Sequence, residues 1–118
     1  MSKNNNSLKL VVAQIELTIG DLQKNKERIL SSIVKSRDEL QADLVLFPEL
    51  CITGYPPEDL LLRDDFNDAV AQTLQEIVAE VNGIDAIITF PHRTEEGMYN
   101  AAALVRDGKI VDYYYKQL

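Results

Sequence analysis

Two spacings of apolar residues alternate along this chain. Leu8 to Ile15 (L-K-L-V-V-A-Q-I) is short and nearly continuous in apolar residues, which predicts a strand buried on both faces, with Gln14 as its polar exception. Gly20 breaks it, and Asp21 is a good helix N-cap. From Leu22 to Leu40 the apolar positions Leu22, Ile29, Leu30, Ile33, Val34 and Leu40 recur at helical spacing, so the charges between them read as a solvated face. Leu44 to Phe47 predicts a second strand, ended by Pro48, which has no N–H to give a ladder. Arg63 to Val81 returns to helical spacing and closes at Asn82-Gly83. Ile84 to Phe90 predicts a third strand ended by Pro91, followed by a polar hairpin loop from His92 to Met98. Tyr99 to Val105 and Lys109 to Tyr115 predict two strands joined by a type I′ turn at Asp107-Gly108.

The order is strand, helix, strand, helix, strand, then a hairpin. This predicts an α/β fold whose inner sheet is largely parallel and is extended antiparallel by the hairpin. The chain's 118 residues suit one compact domain. Met1 to Ser7 is polar and reads as a disordered tail before a domain spanning 8–118. The chain stops at Lys116-Gln117-Leu118, one step past a strand, which predicts the front part of a larger domain with an exposed apolar edge that self-associates.

Charge and composition narrow the function. A net charge of −7 with no basic cluster disfavours nucleic acid as a partner. No apolar run reaches the roughly 18 residues of a membrane helix, and no polybasic anchor is present. One histidine and one cysteine offer no metal-ligand spacing, and no Gly-rich phosphate loop is present. A single cysteine, Cys51, suits a reducing cytoplasmic setting.

The candidate chemistry lies in D-L-V-L-F-P-E-L-C-I-T-G-Y-P-P-E-D-L, from Asp43 to Leu60. Glu49 stands where a buried strand gives way to a loop stiffened by Pro56 and Pro57, a position that holds a side chain firmly and leaves it accessible. The alternative is a capping or surface acid. This run, with A-Q-I and I-G-D upstream and Y-N-A-A, D-G-K-I and Y-Y-K-Q downstream, resembles the carbon–nitrogen hydrolase (nitrilase) superfamily over Leu8 to Leu118. G-Y-P-P-E-D-L-L resembles, within it, the glutaminase domains of the glutamine-dependent NAD synthetases.

The resemblance implies the front part of a nitrilase-type αββα sandwich, truncated before the elbow that carries the nucleophile. It implies a Glu-Lys-Cys triad that hydrolyses the glutamine carboxamide through a thioester. Glu49 maps onto the general base and Lys116 onto the lysine that stabilises the oxyanion; the nucleophilic cysteine lies some tens of residues further on. The released ammonia would feed a downstream synthetase domain of the same polypeptide, which converts deamido-NAD to NAD and holds ATP and magnesium, while this chain holds no cofactor. A homo-oligomer is also expected, in keeping with the exposed sheet edge. Another amidase of the superfamily, or a non-catalytic assembly module, are the alternatives.

The chemistry is coherent, since a thiol near 8.5 needs a base within hydrogen-bond reach, and a carboxylate desolvated at a strand end would serve. Cys51 lies two residues from Glu49, yet between Leu50 and Ile52 it reads as a small buried hydrophobe. Tyr55 either lines the glutamine pocket or ammonia exit, or packs the loop. Glu58 and Asp59 read as N-cap or first-turn acids of the next helix, and His92 as a surface residue. Tyr113, Tyr114 and Tyr115 alternate faces, so at least one is expected in the core and one outside, with no aromatic platform.

Overall fold

A computed structural model of the chain describes residues 7–117. The expected disordered tail, apart from Ser7, lies outside the described residues. Strand β1 (Leu10–Val12), helix α1 (Leu22–Asp38), β2 (Leu44–Leu46), the single turn α2 (Glu58–Leu61), α3 (Asp64–Ala79), β3 (Asp85–Thr94), β4 (Gly97–Arg106) and β5 (Lys109–Gln117) follow one another. They form one five-stranded sheet in the order β1-β2-β3-β4-β5. The first three strands are parallel and the last two join antiparallel, as the alternation of elements predicts.

Both long helices lie on one face of the sheet. Ile29 and Ile33 of α1 and Phe66, Val70, Leu74, Ile77 and Val78 of α3 bury their stripes against Val45, Ala86, Ile88 and Phe90. The register carries this face onto β4, where Val105, Ala103 and Ala101 stand opposite Ala86, Ile88 and Phe90. Asp21 caps α1 by accepting from the Lys24 N–H at 3.1 Å. The buried stripe of α1 is not purely apolar, because Asn25 and Ser36 are buried on it beside Ile29 and Ile33.

Alternation sends Leu10, Val12, Leu44, Leu46, Ile87, Thr89, Leu104 and Ala102 to the other face. Among the described residues no layer covers it, and Leu10 and Val12 are exposed. The expectation that the first strand is buried on both faces therefore fails here. That strand is also only three residues long, because it pairs with the three of β2 and lies at the sheet edge.

Pro91 does not end the third strand, which runs on to Thr94. Thr89 turns its N–H and C=O away from β4, toward Cys51 and Ile52. Pro91, two residues on, has the same parity, so its missing N–H falls on the side where β2 has already stopped and no ladder bond is lost. The expected loop from His92 to Met98 shrinks to a two-residue turn at Glu95 and Glu96. The second hairpin turns at Asp107-Gly108 with φ of 49° and 75°, the type I′ signature.

Candidate active site

β2 ends at Leu46, and the chain leaves the sheet through Phe47-Pro48-Glu49. It then reverses at Leu50, a buried leucine held at φ 53°, whose carbonyl accepts from the N–H of Thr53 at 3.2 Å and of Gly54 at 2.7 Å. A left-handed leucine persists only when its surroundings over-determine it. Thr89 on β3 provides much of that. Its hydroxyl donates to the Pro48 carbonyl and accepts from the Cys51 N–H at 2.9 Å, while its carbonyl accepts from the Ile52 N–H at 3.3 Å. Asn25, fully buried one turn into α1, anchors the far side. It donates to the carbonyls of Thr18 at 2.8 Å and Ile52 at 2.9 Å, and accepts from the Thr18 N–H at 2.8 Å.

Glu49 projects from this pinned turn and is exposed. The desolvation expected at a strand end is therefore not supplied by the described residues. Tyr55 Oη donates to Glu49 Oε2 at 3.1 Å, which makes Tyr55 a direct neighbour of the candidate base. Partial burial, together with that carboxylate, raises the Tyr55 phenol above its ordinary value.

Glu49 and Lys116 line one cavity of about 80 Å³, together with Thr89, Asn100, Ala102 and Tyr114. Lys116 reaches it because β5 extends past Tyr115 and pairs Lys116 with Asn100, on the face that carries Ala102 and Thr89. The small Ala101 and Ala102 leave room beneath the acid and the lysine. Larger hollows lie elsewhere, about 580 Å³ beside β1 and α1 and about 310 Å³ between α3 and β5, but neither holds both of these residues.

Cys51 is placed as a buried hydrophobe. It has no exposure, its Sγ donates to the Thr89 carbonyl at 3.4 Å and accepts from the Thr89 N–H at 3.4 Å, and burial pushes its thiol up to about 11 despite those bonds. Glu58 and Asp59 occupy the first turn of α2. His92 is only half exposed, packing edge-on to Phe90 and tilted against Tyr115 at 5.2 Å. None of Tyr113, Tyr114 and Tyr115 is core, since all stay 44–67% exposed: Tyr114 lies on the uncovered face, and α3 only borders Tyr113 and Tyr115 across a hollow. Tyr113 and Tyr115 stack at 5.7 Å on one side, and Tyr99 meets Tyr115 edge-on, so rings do cluster there. Among the described residues no group of three His, Cys, Asp or Glu could hold a metal, and no helix is long and apolar enough to cross a membrane.

The sequence reading named Glu49, Tyr55 and Lys116, and missed Thr89, Asn25 and Asn100. Thr89 had no local signal, being a β-former inside a strand. Asn25 had a faint one, a poor helix former within the first turns of a helix.

An acid and a lysine from distant parts of the chain thus border one cavity on an α/β sheet backed on its other face by helices. The carbon–nitrogen hydrolase family model matches residues 9–118, and the chain belongs to that family. It is 43% identical over 111 residues to a glutamine-dependent NAD(+) synthetase of Xanthomonas campestris, covering 94% of this chain and 20% of that protein. A crystal structure of a glutamine-dependent NAD(+) synthetase from Cytophaga hutchinsonii superposes with a TM-score of 0.85 at 30% identity, over 94% of this chain and 19% of the other. An amidase from Nesterenkonia sp. shares the fold at 24% identity with a TM-score of 0.75, over 92% of this chain and 42% of the other. The chain thus spans about a fifth of the length of the synthetases it matches, and its five-stranded sheet corresponds to the N-terminal portion of the nitrilase fold.

Proposed function

We propose that residues 8–118 are the N-terminal part of a glutaminase domain that releases ammonia from glutamine for a downstream, ATP- and magnesium-dependent synthetase domain making NAD from deamido-NAD. The observation that carries this reading is the convergence of Glu49 and Lys116 on one cavity. The identity to NAD synthetases supports the choice of glutamine over other amides. A reducing cytoplasm suits the buried free thiol of Cys51.

In this reading a cysteine outside these residues is the nucleophile. Glu49 takes its proton as the thiolate attacks the carboxamide carbon, and Lys116 faces the oxyanion that develops. Glu49 then returns the proton to the departing amine, ammonia leaves, and a thioester remains. Water, deprotonated by Glu49, attacks the thioester; glutamate leaves and the thiol regains its proton. Tyr55, bonded to Glu49, borders the substrate pocket. Removing an oxyanion donor such as Lys116 costs on the order of 100- to 1000-fold in rate. The 118 residues alone are expected to release no ammonia from glutamine, because their one cysteine is buried and protonated.

The test is Glu49→Gln in the full-length protein. Glutamine-dependent NAD synthesis should be abolished, while synthesis fed with free ammonia continues at the original rate. Unchanged use of glutamine would refute the assignment.

A further inference from the structure

Asn100 carries an unusual feature for a strand residue: its side-chain Oδ1 is buried and has no hydrogen-bond partner among the described residues. Native proteins rarely leave a buried acceptor unpaired, and such an exception calls for an explanation, a catalytic role being one. Asn100 stands directly opposite Lys116 in the β4–β5 register, and both line the cavity that holds Glu49. Directly opposed residues have Cβ atoms roughly 5 Å apart, within easy reach of a lysine stem.

The other side-chain donors around the cavity fit less well. The Thr89 hydroxyl already donates to the Pro48 carbonyl. Tyr114 is opposite Ala102 rather than Asn100, and is 67% exposed. Lys116 has three N–H donors on a flexible stem and no acceptor of its own.

We propose that Asn100 is a positioning residue: its Oδ1 accepts a hydrogen bond from the Lys116 ammonium and aims that charge at the reacting carbonyl beside Glu49. A neutral amide is suited to this task. It fixes the direction of the ammonium without cancelling its charge, as a carboxylate in the same place would. The inference rests on the glutaminase reading above and adds a residue to that site.

The experiment is the pH profile of glutamine hydrolysis by the full-length protein, with Asn100→Leu and Asn100→Asp, and with Glu49→Gln and Lys116→Met as parallel controls. Asn100→Leu should lower kcat about tenfold or more, the worth of one hydrogen bond to a charged group, with KM little changed. It should also move the alkaline limb to lower pH, because the ammonium loses an acceptor that favours its charged form. Asn100→Asp should move that limb to higher pH, and ammonia-fed synthesis should stay intact in both as the check on folding. If Glu49→Gln and Lys116→Met abolish hydrolysis while both Asn100 variants keep the original alkaline limb, Asn100 is merely structural and this inference alone fails. If one Asn100 variant does not fold, the limb of the other decides. If the two controls still hydrolyse glutamine, the glutaminase reading itself falls and this inference with it.

Discussion

Cys51 permits a quantitative test of the turn that carries Glu49. The thiol is fully buried, and desolvation raises it to about 11, opposed in part by its bonds to Thr89. At pH 8 an ordinary thiol near 9 is about one tenth thiolate, and one near 11 about a thousandth, so ionisation alone should slow alkylation roughly 100-fold. Reagent that arrives through an opened turn meets a thiol of ordinary value, and on that route the rarity of opening, rather than ionisation, sets the slowing. Iodoacetamide labelling followed by mass spectrometry, native against denatured chain, reads this directly. Stability should carry the same signature. The fold holds the thiol protonated beyond its unfolded value, so this contribution is complete below about pH 9 and is lost as pH rises toward 11. The loss is roughly 3 kcal/mol over that window. Other groups titrate there too, so the quantity to follow is the difference between denaturation curves of the wild type and Cys51→Ala, which should narrow as pH rises. Native labelling as fast as denatured labelling, or a difference independent of pH, would show that Cys51 is not held as described.

Two further substitutions probe how the turn is pinned. Thr89→Val keeps the shape but leaves the Cys51 N–H and Pro48 carbonyl without their partner, and should cost about 1–3 kcal/mol in chemical denaturation, largely restored in Thr89→Ser. Asn25→Ala removes three hydrogen bonds at a site with no solvent access; it should cost about 3 kcal/mol and speed hydrogen exchange at the Thr18 amide more than in the core of α3.

Several features were legible in the sequence because their causes are local. Helical spacing marked α1 and α3 to within a few residues, Asp21 marked a cap, and Asp107-Gly108 specified its turn through the conformations those residues tolerate. The order of elements was enough for the parallel and antiparallel parts of the sheet, since a strand-helix-strand crossover and a two-residue turn each allow essentially one pairing direction. Glu49, Lys116 and Tyr55 were found by motif, without any knowledge of whether they meet.

What only the tertiary structure decided depends on neighbours distant in sequence. Pro91 reads as a strand end, yet the strand continues because β2 stops early and leaves that side with no ladder to break. The tyrosines of β5 read as half core, but Tyr114 lies on the uncovered face and α3 only borders Tyr113 and Tyr115 without closing over them. Glu49 and Lys116 come together through two strand registers and a turn clamped by Thr89, and no local pattern encodes a register. The residues around a site are chosen by three-dimensional packing, so the sequence alone singled out Glu49, Lys116 and Tyr55 as candidates, and only the fold revealed Thr89, Asn25 and Asn100 as those that pin the turn or line the same cavity.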